Sequence, residues 1–231
     1  EAAAAAPDLK ISFNIPSETW RMIGFARQKK TVFMSVLGIS WFWVVGATFL
    51  SQFPNFTKLV LGGDETVVTL FMAMFSIGIG LGSLWCNKLL GGKISARYVA
   101  VGGLAMTVFM VDLAIATWGS TPAAGAMINA STFIAETTNW RILFDLLAIS
   151  MAAGIYTVPL YAILQHHSER QYRSRTIAAN NILNALFMVL GSLVVTWMLG
   201  NDWSIPQVFL VLAIANACVA GGMMRLRKLV E

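Results

Sequence analysis

Six apolar runs, each long enough to cross a lipid bilayer, constrain the fold of this chain more than any other feature. A transmembrane helix needs about 20 predominantly apolar residues, because the hydrocarbon core is ~30 Å thick and a helix rises 1.5 Å per residue. The composition agrees, since 57% of the residues are hydrophobic and only 12% are charged. The sequence therefore predicts an all-α integral membrane protein with six transmembrane helices. The predicted spans are 31–52, 65–87, 98–118, 140–164, 176–199 and 205–224.

The basic residues predict how these spans are oriented. Lysine and arginine in short loops stay on the cytoplasmic side of a membrane. All of the 16 basic residues except Lys58 and Arg141 fall before the first span, in alternate loops or after the last span. We therefore expect a multi-pass protein with both termini in the cytoplasm. The net charge of +5 suits contact with anionic membrane lipids and gives no reason to expect a nucleic-acid partner.

Residues 1–30 differ from the rest of the chain. They begin with the alanine-rich stretch "EAAAAAP" and continue as "PSETWRMIGFARQKK", which starts with proline and reads as a basic amphipathic helix. We predict two parts: a cytoplasmic linker with an amphipathic helix over 1–30, and a six-helix transmembrane domain over 31–228. A link to a preceding domain and a simple interfacial anchor are both open for the helix.

The residue pattern gives no reason to expect an enzyme, a cofactor or a metal site in this segment. Cys86 and Cys218 lie in or at the ends of spans without metal-ligand spacing, and we interpret them as free thiols. His166 and His167 stand in a charged loop without further ligands. No serine elbow of a hydrolase and no His-Asp pairing of an acyltransferase is visible.

The stretch "GLGSLWCNKLLGGK" (80–93) carries a glycine-lysine pair, but it lacks the glycine and the hydroxyl residue that a phosphate-binding P-loop requires. We interpret it as the end of a helical hairpin. Three glycines in the second span are expected to allow another helix backbone to approach closely, and the residues after them to form a tight basic cytoplasmic turn. The glycines are Gly78, Gly80 and Gly82, and the turn contains Asn87, Lys88, Gly91, Gly92 and Lys93.

This stretch resembles the signature loop of the major facilitator superfamily. The matching residues are Gly82, Asn87, Lys88, Gly91 and Lys93, with Asn87 in place of the usual aspartate. Three longer segments are similar to bacterial lysophospholipid transporters of that superfamily, of the type fused to a glycerophospholipid acyltransferase and an acyl carrier protein synthetase. They are "LGISWFWVVGATFLSQFPNF", "GGDETVVTLFMAMFSIGIGLGSLWCNKL" and "GIYTVPLYAILQHHSERQYRSRTIAANNILNALFMVLGS".

The resemblance covers residues 30–228 and corresponds to the C-terminal six-helix half of such a transporter. It implies a 3+3 inverted repeat, a bacterial inner-membrane location and movement of lysophosphatidylethanolamine-like lipids from the outer to the inner leaflet for reacylation. The implied partners are the lysophospholipid, membrane lipids, an N-terminal six-helix half and a fused or associated acyltransferase. Two alternatives remain open: a small-molecule antiporter half of the same fold, and a noncatalytic membrane scaffold for a lipid-modifying enzyme. The uncharged middle of the first, second, fifth and sixth spans favours a lipid substrate.

Polar residues within spans are costly and are therefore candidates for a site. Asn180, Asn181 and Asn184 in the fifth span form the preferred headgroup-binding cluster, with hydrogen bonding between helices as the alternative. Thr157 and Gln165 in the fourth span are further candidates for lining the substrate path.

The fourth span also carries candidates for gating. Arg141 and Asp145 are four residues apart, so we expect an ion pair within one helix, with an outer gate or a proton-coupled carboxylate as the alternative. Asp112 is the only charge in the third span, where snorkelling or an interhelical role is favoured over proton transfer. Gly154 and Pro159 are expected to break the regularity of the fourth span, and Pro159 to free the backbone carbonyl of Ile155.

Overall fold

The structure, a computed structural model, describes residues 15–122 and 127–230. Over these residues six long apolar helices are able to span a membrane, which confirms the predicted all-α, six-span architecture. A short helix, α1, precedes them, and another, α5, lies between the third and fourth spans. The helices are α1 (Ile15–Arg27), α2 (Lys30–Leu59), α3 (Glu65–Leu90), α4 (Val99–Ala116), α5 (Ala130–Ala135), α6 (Trp140–His167), α7 (Arg173–Gly200) and α8 (Ile205–Val230).

The predicted spans match these helices, with the largest difference at the end of α2. That helix continues through Pro54 to Leu59, seven residues beyond the apolar run. At 1.5 Å per residue its 30 residues extend over ~45 Å, more than the ~30 Å hydrocarbon core. The helix is therefore longer than the apolar layer, and hydropathy marks only the apolar part of it.

The packing of the six long helices repeats after three of them. We call two helices counterparts when they are three spans apart: α2 and α6, α3 and α7, α4 and α8. Helix α3 packs on α6, and its counterpart α7 packs on α2. Helix α4 also packs on α6, and its counterpart α8 packs on α2. The contacts α2–α6 and α4–α8 each join a helix to its own counterpart. The smaller α2–α3 and α7–α8 contacts have no counterpart of similar size. Because α2 and α6 cross the membrane in opposite directions, the larger contacts agree with a 3+3 inverted repeat.

Glycines bring α3 and α6 into close backbone contact. A Cβ atom built on Gly82 would lie 2.0 Å from the carbonyl oxygen of Met151, and one on Gly154 would lie 2.6 Å from the carbonyl oxygen of Ile79. The expectation of close packing at Gly78 and Gly82 is therefore confirmed. It is wrong for Gly80, where an added Cβ would meet nothing within 4 Å, because this residue lies on the opposite face of the helix.

A cluster of buried phenylalanines packs where α2, α3 and α8 meet. Phe49 stacks on Phe209 of α8 with ring centroids 4.5 Å apart, and Phe53 packs edge-on against Phe71 and Phe75 of α3. Aromatic pairs of this kind contribute about 0.5–1.5 kcal/mol each beyond the burial of their area. The cluster holds α2 between α3 and α8.

The described end of the loop between α4 and α6 contacts the α2–α3 turn. Ile128 pairs with the α2–α3 turn through two backbone hydrogen bonds of 2.9 Å, to Gly62 and Asp64. The Asp64 carboxylate accepts hydrogen bonds from the hydroxyl and the backbone N–H of Thr66 at the start of α3. These bonds hold the pKa of the Asp64 carboxyl below its ordinary value, and the bond from the hydroxyl has the largest effect. The first turn of α3 is thus capped by a carboxylate.

The predicted basic turn after α3 is confirmed. Gly91 and Gly92 both adopt left-handed backbone conformations, with φ of 56° and 73°, and Lys93 N–H bonds to the carbonyl of Leu90. This turn lies at the carboxyl end of a helix, where the dipole is negative and repels phosphate. The position agrees with a hairpin end and not with a P-loop.

Helix α1 packs on the amino-terminal end of α7. The Phe25 ring stacks on Tyr172 with centroids 4.6 Å apart, and the Arg175 guanidinium lies 5.1 Å from the centre of the same ring. Lys29 approaches Glu169 at 3.7 Å. The predicted amphipathic helix therefore exists and contacts the bundle. The part of the predicted linker before residue 15 lies outside the described residues.

Candidate functional site

Two of the three clustered asparagines lie in the α2–α7 interface. Asn180 and Asn184 are buried, with 1% and 6% of their surface exposed, and Asn184 lies 2.9 Å from the Ser40 hydroxyl of α2. With its amide nitrogen toward Ser40, the Asn184 oxygen accepts from the Asn180 amide at 3.0 Å and from the Trp43 indole at 3.3 Å. This arrangement joins two helices by hydrogen bonds, as in the alternative weighed from the sequence.

The third asparagine points elsewhere. Asn181 is exposed, because one residue along a helix rotates the side chain by about 100°. Asn180 also retains a buried side-chain oxygen without a hydrogen-bond partner among the described residues. The headgroup-binding cluster predicted from the sequence is thus divided between a helix contact and one exposed amide.

A second amide network was missed by the sequence analysis. Asn216 in the middle of α8 is 1% exposed, accepts a 2.9 Å hydrogen bond from the Trp41 indole, and donates to the Gly103 carbonyl at 2.7 Å and to the Thr107 hydroxyl at 2.9 Å. It joins α2, α4 and α8. The criterion that singled out Asn180, an amide in mid-span, applies equally to Asn216.

The ion pair expected within α6 is wrong. Arg141 pairs with Asp112 of α4 and donates two hydrogen bonds to its carboxylate, of which the Nε–Oδ2 bond is 3.0 Å. The interhelical role favoured for Asp112 is therefore confirmed. Asp145 is fully buried, interacts electrostatically with both partners and has no hydrogen-bond partner for either oxygen among the described residues.

The remaining candidates on α6 lie apart from the asparagines' contacts. Gln165 is exposed near the carboxyl end of α6, and Thr157 is 7% exposed, with its hydroxyl unbonded within the described part of the chain. Helix α6 continues without interruption through Gly154 and Pro159. The carbonyl that Pro159 frees, that of Ile155, accepts a hydrogen bond from the Cys86 thiol at 3.6 Å.

Two helices expose small and polar side chains along one face. Each long helix contains an apolar segment of 18 residues. Only 28% of this segment is buried in α3 and 22% in α7, against 56% in α2 and 61% in α6. Spacings of three, four and seven residues place the small and polar residues of each helix in one stripe. The α3 stripe is Thr69, Ala73, Ser76, Gly80, Ser83 and Asn87, of which Ser83 is half-buried, and the α7 stripe is Ser174, Asn181, Ala185, Ser192 and Thr196, with Met188 between Ala185 and Ser192.

Each stripe lies opposite the buried face of its helix. In α3 the buried residues include Phe71, Phe75 and Gly82, about 140° around the helix from the stripe at 100° per residue. A face toward lipid is expected to be uniformly apolar, whereas small and polar residues are typical of contacts between membrane helices and of water-filled cavities. Because α3 and α7 are counterparts in the repeat, the same feature occurs twice.

Together these features define the class of protein: an all-α membrane protein with six helices able to span the bilayer, joined by buried amide networks. Within the described residues no group of three or more His, Cys, Asp or Glu side chains is placed to hold a metal ion. No family model, curated protein or solved structure matches the chain.

Proposed function

We propose that the chain forms one six-helix half of an alternating-access transporter that moves a lysophosphatidylethanolamine-like lipid from the outer to the inner leaflet of a bacterial inner membrane. In this proposal the half carries no catalytic activity, and an acyltransferase, fused or associated, restores the second acyl chain. The proposal unites the repeat, the exposed stripes and the resemblance described above.

The two exposed stripes are the observation that carries the proposal. In transporters built from two repeated halves the substrate pathway lies between the halves, near the middle of the bilayer. Helices α3 and α7 supply faces that suit contact with a second half or with a wet pathway. Asn181 in the α7 stripe becomes the asparagine best placed to contact a headgroup, because Asn180 and Asn184 already bond within the half.

The uncharged middle of α2, α3, α7 and α8 favours a lipid over a small charged solute. An ion or a small acid is bound within a membrane by charged or strongly polar groups, whereas an acyl chain needs apolar surface. Amides donate and accept hydrogen bonds, so they suit a zwitterionic headgroup without the cost of burying an unpaired charge.

A flipping assay tests this function. Vesicles containing this half together with a second six-helix half would receive fluorescent lysophosphatidylethanolamine in the outer leaflet, and its transfer to the inner leaflet would be followed by quenching. We expect saturable transfer with both halves and none with residues 1–231 alone. Equal rates with and without protein would contradict transport and favour the scaffold alternative. Saturable uptake of a small solute without lipid transfer would favour the antiporter alternative.

A matched pair of variants ties the assay to the stripes. Ala185→Trp places a large side chain in the α7 stripe, and Leu193→Trp places the same side chain on another exposed part of α7. We expect a severalfold loss of transfer for Ala185→Trp and little change for Leu193→Trp. Equal effects would mean that the stripe has no special role.

A further inference from the structure

An apolar groove runs between α7 and α8, with α2 as its floor. Its volume is about 350 Å³, within the range of sites that bind small molecules. Trp41 lies at one end and Thr48 at the other. Apolar side chains line it almost throughout, including Val44, Leu190, Val194, Val211 and Ala215.

A polar mouth lies directly beyond the groove, at the outer end of the bundle. Its volume is about 620 Å³, and it is lined by amide, hydroxyl and carboxylate side chains. Trp118 and Trp203 also line it, as expected for aromatic residues at the level of lipid headgroups. The polar residues of the mouth are Gln52, Asn55, Thr117, Ser120, Asp202, Ser204 and Gln207.

Groove and mouth adjoin on all three helices. On α2 Thr48 of the groove is one turn from Gln52 of the mouth, and on α8 Val208 follows Gln207. On α7 Met198 lines the groove and Leu199 lines the mouth. A buried apolar cluster of Val195, Met198 and Val208, separate from the main core, joins α7 to α8 at this level. The mouth and the groove are thus adjacent cavities, with this cluster at the boundary between them.

The length of the groove fits one leaflet. Trp41 and Gln52 are eleven residues apart on α2, so the distance from the Trp41 end of the groove to the mouth is ~16 Å at 1.5 Å per residue. Half of the hydrocarbon core is ~15 Å. An acyl chain that starts at the outer headgroup level would therefore end near Trp41.

From this geometry we infer a loading site for a single-chain zwitterionic phospholipid of the outer leaflet, with its acyl chain in the groove and its headgroup in the mouth. The inference rests on the proposed function and names a substrate-binding site outside the exposed stripes. One groove for one mouth matches one chain per headgroup.

The mouth also offers complementary charge. The carboxylate of Asp202 suits the ammonium of a phosphoethanolamine group, and the amides of Gln52, Asn55 and Gln207 suit hydrogen bonds to its phosphate. Asp202 has a left-handed backbone with φ of 62° in the short α7–α8 turn. Only a few per cent of non-glycine residues adopt this conformation, and aspartate and asparagine do so most readily.

Photocrosslinking tests the site. The full chain would be reconstituted in phosphatidylcholine vesicles with a lysophosphatidylethanolamine that carries a diazirine at the end of its acyl chain. We expect adducts at the end of the groove near Trp41. Unlabelled lysophosphatidylethanolamine should compete for labelling, and diacyl phosphatidylethanolamine should not. Ala215→Trp fills the groove and should lower labelling severalfold, whereas Ile214→Trp, on the adjacent exposed position of α8, should not. Asp202→Asn keeps the backbone preference and should weaken labelling severalfold for the ethanolamine headgroup.

Several outcomes would overturn the inference. These are adducts distributed over the bundle surface, equal competition by the diacyl lipid, or unchanged labelling in Ala215→Trp. Because adduct positions are mapped in the unmodified chain, the test does not depend on whether a variant folds. Failure of the proposed function is distinguishable: labelling confined to the groove, without lipid transfer by the two assembled halves, would retain the binding site and reject transport.

Discussion

Arg141 near the start of α6 donates two hydrogen bonds to Asp112 of α4, 29 residues earlier in the chain. Asp145, one turn further along α6, does not take the place of Asp112 as the partner of Arg141. The Arg141–Asp112 pair lies near the start of α6 and the end of α4 and remains partly exposed, so neither charge is fully buried. Asp145 lies deeper, fully buried, where moving a guanidinium from water would cost more.

We predict that Arg141→Gln lowers the thermal stability of the protein and that the loss is smaller when Asp112→Asn is added. Removing the guanidinium alone leaves the Asp112 carboxylate without its cation beside the buried Asp145 carboxyl, and Asp112→Asn removes that unpaired charge. Melting temperatures of the two single variants and the double variant would measure this coupling. Additive losses would show that the pair does not interact.

For Asp145 we predict the opposite effect on stability. Asp145→Leu replaces a buried, unbonded carboxyl with an apolar side chain of the same branching, and a buried polar group without a hydrogen bond costs about 1–3 kcal/mol. The melting temperature should therefore rise. A lower melting temperature would indicate that the carboxyl is satisfied in the folded protein.

The α3–α6 contact offers a controlled comparison of two glycines. Gly82→Ala would place a Cβ 2.0 Å from the Met151 carbonyl oxygen, so the helices must separate, at a cost of about 1–3 kcal/mol for overpacking. Gly80→Ala meets open space and should be neutral or slightly stabilising, because alanine favours helices. Denaturation curves in detergent would compare them. Similar stability of the two variants would mean that α3 and α6 adjust without cost.

The asparagines of α7 are predicted to divide by role. Asn184→Ala removes hydrogen bonds to Ser40 and Asn180 and should lower stability by about 0.6 kcal/mol per lost bond between helices. Asn181→Ala removes an exposed amide and should reduce lipid transfer by the assembled halves severalfold while stability stays close to that of the unmodified protein. Stability and transfer per folded molecule would be measured for both. A loss of transfer confined to Asn184→Ala would restore the buried pair as the headgroup site.

Orientation in the membrane is tested by thiol labelling in a chain in which Cys86 and Cys218 are replaced by serine. Ile94→Cys and Gln171→Cys lie in exposed parts of the basic loops, and Ser120→Cys and Thr138→Cys lie in exposed parts of the opposite loop. The positive-inside rule predicts that an impermeant reagent added outside labels only the second pair. Labelling of the first pair alone would reverse the topology.

Hydropathy and helix length alone determined the class of this protein and the positions of its spans. An apolar run of 20 residues has few alternatives to a membrane helix, because the bilayer offers no partner for an unpaired backbone group. The small-residue spacing at Gly78 and Gly82 likewise predicted a close contact, because periodicity on one helix is a local property. The basic turn at Gly91–Lys93 was predictable for the same reason.

Partners between helices were decided by the tertiary structure alone. Nothing in the sequence around Arg141 distinguishes Asp145, four residues away on the same helix, from Asp112 on another. Asn184 and Asn181 differ in role because only one face of α7 meets α2. The groove depends on the distance between α7 and α8, which no single segment encodes. Sequence patterns report which face of a helix is apolar or small, but the rotation and separation of helices depend on the packing of all six together.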